Sequence, residues 1–333
     1  MRPRTTAARF TVLAGSALLV IAATTLLGQR WIALSAIFSA DDPSWVFWHI
    51  RVPRTLLAAC AGAGLAIGGV VFQALFRNPL ATPYTLGTAG GASLAAASGF
   101  LMGWSGRLPG GIPRLSLLAF GGALAALGVV FAMSRLRAGR DMTRLLLAGV
   151  CVAYLCSAGI LLVTFLADRA ITNDIVIWMM GSLGVPRPQA GIEIAVVLVP
   201  VVAFASYQHR ALDLLNFGDA LAASRGVAVE FTVWASLALV GLLTAAIVAN
   251  CGPIGFVGLM VPHIGRAIFG VRTLPLLLGS VLVGAAFLAV CDGLARSVYV
   301  TELPVGVVTN ILGAVFFFYM LATRNVLPGT VRS

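Results

Sequence analysis

Lysine is absent from this chain: all 22 basic residues among its 333 are arginine. A phosphate-cradling loop of the GxxxxGK[ST] kind needs a lysine on the terminal phosphates. The chain therefore cannot carry that loop, and any ATP-driven role must draw its engine from another chain. Charge is scarce too, at 10% of residues against roughly 25% in a soluble domain. The three histidines, at 49, 209 and 263, are scattered, and the five cysteines, at 60, 151, 156, 251 and 291, lie in or beside apolar runs. None has metal-ligand spacing, so no metal cluster is legible and the cysteines read as small packing residues. No small-x-small cleavage site follows the first apolar run at Leu26-Leu27-Gly28-Gln29, so that run reads as a retained helix and not as a signal peptide.

What the chain does have is apolar surface. It is 60% apolar, with a mean hydropathy of +1.01. A soluble core cannot hide that much, but a bilayer can. Ten apolar runs follow one another: Phe10–Leu27, Val52–Leu75, Leu86–Met102, Leu115–Met133, Leu145–Leu166, Ile192–Ala205, Phe231–Val248, Ile254–Pro262, Leu276–Val290 and Val305–Ala322. A spanning helix takes about 20 apolar residues. Most runs reach this with their flanks. Ile192–Ala205 is short, and Ile254–Pro262 is too short to cross alone and is interrupted by Gly255, Gly258 and Pro262. Segments broken by Gly and Pro line cavities and pathways in transporters.

The chain reads as a single all-α integral membrane domain over 1–333. With the N-terminus inside and ten spans, fourteen arginines fall inside and eight outside. This bias places both termini in the cytoplasm, at a plasma membrane. The net charge of +11 is then a membrane-surface effect and not a nucleic-acid signal. Outside, Ile171, Ile175, Trp178 and Met179 recur at helical spacing and predict a short surface helix. Inside, Asp219 to Arg225 reads as a short helix with an acidic start, ended by Gly226. A helix followed by a glycine turn is a suitable shape for docking a partner.

Val52–Leu75 carries Gly62, Gly64, Gly68 and Gly69, then Gln73. No strand precedes these glycines, so they are not a dinucleotide fingerprint. Gly64 and Gly68 instead let helix backbones approach closely, and Leu86-Gly87 continues the theme. Arg51, Arg54 and Arg296 are outer charges that oppose the arginine bias and stand at helix ends, within reach of a docking protein or of lipid phosphates. Asp292 lies inside a run, four residues before Arg296, so the two can pair on one helix face.

At these residues the chain resembles a known family. Arg51-Val-Pro-Arg54, Gln73-Ala-Leu-Phe-Arg-Asn78-Pro-Leu-Ala81 with Leu86-Gly87, Gly252-Pro-Ile-Gly-Phe-Val-Gly-Leu-Met-Val-Pro-His263 and Glu302-Leu-Pro-Val-Gly-Val-Val-Thr309 look like signatures of the FecCD-type permeases. These are membrane subunits of ABC importers for iron–siderophores, haem and vitamin B12. The likeness runs from about residue 45 to 325.

The resemblance implies a type II ABC importer permease of about ten transmembrane helices, paired with a second permease, identical or related. Two cytoplasmic ATPases, which hold ATP and Mg, would sit below, and an extracytoplasmic binding protein would dock outside. It implies that Arg51, Arg54 and Arg296 meet acidic residues of the binding protein. It also implies that a loop near Leu212–Gly226, with Leu212, Asp219, Ala223, Arg225 and Gly226, meets the ATPase. The family's version of that loop is usually richer in glutamate. Gly64, Gly68, Gln73, Gly87, Gly255, Gly258 and Pro262 are the candidate pathway and packing positions.

The expected function is translocation of a ferric siderophore or similar metal chelate, with haem or cobalamin as the alternative, and no catalysis or cofactor on this chain. An ion-coupled secondary transporter would need several ionisable groups inside the membrane, and Asp292 is the one acid credited with that position. An intramembrane enzyme would need a nucleophile–base pair or a metal motif, and neither is legible.

Overall fold

The structure is a computed structural model, and it describes residues 3–28, 42–104, 106–108, 111–135, 142–184, 187–298 and 302–323. Nearly all of these are helical. In chain order the helices are α1 (Pro3–Leu26), α2 (Asp42–Val46), α3 (Val52–Phe76), α4 (Thr88–Leu101), α5 (Arg114–Arg135), α6 (Met142–Leu166) and α7 (Arg169–Met179). Then come α8 (Pro188–Tyr207), α9 (His209–Leu215), α10 (Asp219–Ser224), α11 (Val229–Cys251), α12 (Val257–Phe269), α13 (Thr273–Ser297) and α14 (Val305–Ala322). Each of the ten apolar runs becomes one helix. Among the described residues seven helices are long and apolar enough to cross a membrane, and α1, α4 and α12 account for the other three runs.

The molecule is arranged around α3. Every residue from Ala61 to Phe76 is buried, as expected of a helix that is apolar all round. It packs against α13, α12, α8 and α11. A π-helical turn, Phe47–Arg51, joins it to α2 without a break, so Ser44–Phe76 runs as 33 continuous helical residues. That is about 50 Å at 1.5 Å per residue, longer than the roughly 30 Å hydrocarbon core, so this helix tilts or carries one end beyond the apolar layer.

In a bilayer, helix association depends on close packing and not on expelling water. Gly62 of α3 faces Gly284 of α13 so closely that a methyl group on either would fall inside the other's carbonyl group; Gly69 and the carbonyl of Gly258 in α12 meet in the same way. The two expected packing glycines lie on another side of α3. A methyl on Gly64 would stand 2.7 Å from Ile247 Cδ1, and one on Gly68 would stand 2.9 Å from Pro83 Cγ and 3.1 Å from Val240 Cγ1. Both are therefore helix-packing positions against α11 and the 3₁₀ turn Pro83–Leu86. Gly87 packs against Val152 of α6. By contrast α6 and α14 keep long apolar faces open, with Tyr154, Leu155, Phe165, Ile311, Val315 and Phe318 all exposed.

Three sequence expectations change here. The short run Ile192–Ala205 belongs to a helix of 20 residues, long enough to span. The run Ile254–Pro262 does not stop at its proline, because α12 continues through Pro262 to Phe269. The loop between Tyr207 and Glu230 holds two short helices, α9 and α10, of which the sequence marked one.

Candidate functional site

Three breaks in the helical chain meet inside the bundle. The first follows α11, where Gly252 takes φ +66° and ψ −176° and Phe256 sits at φ +65° before α12 begins. The second is Met180–Gly184, after α7, and the third leads into α14 at Val305. They satisfy one another's backbone groups. Ser182 N–H donates to the Cys251 carbonyl at 2.8 Å, and Gly306 N–H donates to the Gly181 carbonyl at 3.2 Å. The Tyr84 hydroxyl oxygen accepts from Ile254 N–H at 3.2 Å. The packing is tight enough that a methyl on Gly181 would strike the Pro253 carbonyl, and one on Gly306 the Met180 carbonyl. Backbone leaves a helix at membrane depth only where protein covers it or where it borders a water-filled path. Gly255 is enclosed by the Asn310 side chain of α14, and the Phe256 ring lies on Gly313.

Below this junction, Pro262 has no N–H, so the Gly258 carbonyl loses the donor four residues on. The side-chain amide of Gln73 supplies it at 3.3 Å. Gln73 Oε1 in turn accepts from the Arg266 guanidinium. The predicted set Gln73, Gly258 and Pro262 is thus one physical unit linking α3 to α12.

At one end of the bundle five charged side chains gather. Asp292 of α13 is fully buried and lies 2.9 Å from Arg54 Nε and 3.0 Å from an Arg296 nitrogen. Arg54 also pairs with Glu302 at 2.6 Å, a side chain left 50% exposed. Arg296 donates to the Thr24 carbonyl at 3.3 Å. Arg51 donates to the Leu26 carbonyl at 2.8 Å. The last carbonyls of α1 have no intrahelical donors, and cations are favoured at that end of the dipole.

The predicted Asp292–Arg296 pair is present. Arg51, Arg54 and Arg296, expected at helix ends within reach of a partner, are 8%, 5% and 4% exposed. The physical reason is that a buried carboxylate needs compensation, and Asp292 draws two of them inward while the end of α1 draws Arg51.

The opposite end carries α9 and α10. Gly226 at φ +80° ends α10, with Gly226 N–H on the Ala223 carbonyl at 3.0 Å and Val227 N–H on the Ala222 carbonyl at 3.1 Å. These are the two bonds of a Schellman motif, and its left-handed position suits glycine. Ala223, Arg225 and Gly226 are exposed and Leu212 is buried. Asp219 pairs with Arg77 at 3.1 Å. Arg77 itself, at φ +51°, closes α3. The loop is therefore tied to the end of the central helix.

Sequence reasoning passed over Glu302 as an ion-pair partner, although it opens the third signature. It also missed Glu193, a second acid within the apolar runs. Arg187 clamps that carboxylate with two contacts at 3.1 and 3.2 Å and donates to Asn250 at 2.7 Å. No helical spacing marks the pair, because Arg187 precedes α8 and the two residues are six apart. For Met180–Gly184, two glycines between apolar stretches were the only sign.

Comparison with known proteins agrees with this architecture. Residues 16–323 match the FecCD transport family. The haemin transport system permease protein HmuU of Yersinia pestis is 37% identical over 86% of this chain and 86% of its own length. The vitamin B12 import system permease protein BtuC of Salmonella typhimurium is 38% identical over 91% of this chain and 92% of its own. A solved inward-facing structure of a putative metal-chelate type ABC transporter superposes with a TM-score of 0.85 at 28% identity, covering 97% of this chain and all of that one. The chain therefore belongs to the FecCD transport family, as a multi-pass membrane permease subunit of an ABC importer.

Proposed function

We propose that this permease carries a ferric siderophore or similar metal chelate, with haem or cobalamin as the alternative cargo. The named relatives move haemin and vitamin B12, and a structural neighbour is of metal-chelate type. The observation that carries the reading is the junction of three non-helical backbone segments, bordered by Gln73 and α12. Such a junction offers small movements of packed segments, and Arg266 at its border is held on the Gln73 side chain. A large chelate makes diffuse contacts, and that suits a path with an apolar border.

In this reading a second permease, identical or related, covers the open faces of α6 and α14. Two ATPases, which bind ATP and Mg, dock on α9 and α10 at the cytoplasmic end, and both termini lie on that side. Asp219 and Arg77 pass their movement to α3, and Gln73 passes it to α12. ATP binding shifts the balance between outward-open and inward-open states because the ATPases bind the two differently. A binding protein docks at the other end, over Arg51, Arg54 and Arg296. The three form the floor of that site, and the half-exposed Glu302 stands at its edge.

A proton- or ion-coupled transporter is the reading to beat. It needs an acid free to change its charge inside the membrane. Asp292 sits between two guanidiniums and Glu193 is clamped by one, so neither is suited to that work. The test is uptake by proteoliposomes holding this chain with its ATPase and binding protein. Labelled ferric siderophore, haemin and cobalamin are compared, with ATP inside or with a proton gradient alone. ATP-dependent accumulation of one chelate is expected. Accumulation driven by the gradient without ATP would overturn the reading.

A further inference from the structure

A cavity of about 550 Å³ opens at the α9–α10 end, between the end of α3, α9, α12 and the start of α13. It is a different feature from the junction of helix breaks. Three arginines line it: Arg77, Arg266 and Arg272. One acid, Asp213, lines it as well. The Oδ1 of Asp213 already accepts from Thr273 N–H at 2.8 Å and from the Thr273 hydroxyl at 2.6 Å. That places the acid at the N-terminus of α13, where negative charge is favoured. Arg77 pairs with Asp219, and its guanidinium has further donors to offer. Arg272 is exposed. One terminal nitrogen of Arg266 donates to Gln73, while the other is sealed from water and has no acceptor. The lining therefore holds more positive than negative charge, with donors still to be matched. Phe217 and Val271, both strongly exposed, border the same cavity.

We propose that this cavity is a binding site for a phosphate-type oxyanion, presented either by an anionic lipid headgroup or as free phosphate. A tetrahedral oxyanion has several acceptor oxygens and suits arginines that converge from different helices. A modest turn of Arg266 gives its unmatched nitrogen one of those oxygens. The exposed Val271, outside the loop assigned to the ATPase, gives an acyl chain a place beside the charge, so the headgroup source is expected to bind more tightly. The anion ties α3 to α12 and α13, and so steadies the end of the central helix to which α10 is attached. Nothing in this depends on which chelate the permease carries.

The test uses the full chain in nanodiscs of phosphatidylcholine, with thermal unfolding and native mass spectrometry as readouts. In one arm inorganic phosphate is titrated in, against chloride at equal ionic strength. In the other arm part of the lipid is replaced by phosphatidylglycerol. Stabilisation in either arm, with retained phosphate or phosphatidylglycerol in the mass spectrum, is expected. Arg266→Gln should weaken it about ten- to a hundredfold, the worth of one charged hydrogen bond. Because Arg266 also contacts Gln73, Arg272→Gln serves as the second variant: its side chain is exposed, so the fold is kept while the affinity falls. Stabilisation by phosphate alone assigns the free anion, and by phosphatidylglycerol alone the headgroup. Absence of both effects, or effects untouched by Arg272→Gln, would overturn the proposal.

Discussion

The side-chain amide of Gln73 donates to the Gly258 carbonyl at 3.3 Å, the carbonyl that Pro262 deprives of its helical donor. A proline inside a helix costs about 3 kcal/mol or more, through the lost bond and a ring clash. Here a neighbouring helix repairs the lost bond, so α12 continues past its proline and is fastened to α3 at the same point. That single contact makes a local weakness into a joint between two helices.

Removing the joint has a predictable cost. Gln73→Leu leaves the Gly258 carbonyl and an Arg266 nitrogen unmatched, and a buried unmatched group costs about 1–3 kcal/mol. Pro262→Ala restores a backbone donor to Gly258. The double variant should therefore lose less than the sum of the two single changes, with a coupling of about 0.5–3 kcal/mol. Unfolding free energies of the four proteins in detergent give this number. Simple additivity would show that Gln73 and Pro262 do not act on one carbonyl.

The charge cluster allows a comparison within a single site. Asp292 is fully buried between Arg54 and Arg296, whereas Glu302 is 50% exposed. Truncating one partner of a buried pair costs about 3–5 kcal/mol, because a charge is left without compensation. An exposed pair is worth about 0–1 kcal/mol. Asp292→Ala should accordingly destabilise the chain by several kcal/mol and Glu302→Ala by at most about one. Equal losses from the two in denaturant unfolding would contradict this account of burial.

Gly226 separates stability from coupling. Its φ is +80°, and a side chain there would meet nothing within 4 Å. Gly226→Val therefore incurs backbone strain of about 1–3 kcal/mol and no clash. Gly226→Asn, which tolerates the left-handed region, should behave nearly as the parent. The valine variant should insert normally but recover less ATPase on copurification and transport more slowly. ATP-dependent uptake at the parent rate would remove this turn from the coupling surface.

The elements that were legible in the sequence are those whose causes are local. Asp219 and Gly226 mark the two ends of α10 within a few residues. The heptad-like return of Ile171, Ile175 and Trp178 marks α7, whose start is capped by Asp168. Asp292 and Arg296 share one helix face. The contacts that were missed span long stretches of chain. Arg54 and Asp292 are 238 residues apart, and Gln73 and Gly258 are 185 apart. No periodicity encodes such a pairing, so neither the partners of the arginines nor the repair of α12 at Pro262 could be read locally. The break at Met180–Gly184 was hidden for a related reason: its backbone partners are Cys251 and Gly306, which belong to other parts of the chain.

The central claim is that the junction of helix breaks borders the path and changes its exposure during transport. It is tested most directly by thiol accessibility. Single cysteines are placed at Pro253, Gly255 and Ser182 in a background in which Cys60, Cys151, Cys156, Cys251 and Cys291 are replaced. The assembled transporter is then probed with a water-soluble maleimide, nucleotide-free and with ATP trapped. The account predicts that at least one position reacts in one state and is protected in the other, while uptake is retained. Equal inertness of all three in both states, with the fold and uptake intact, would contradict it.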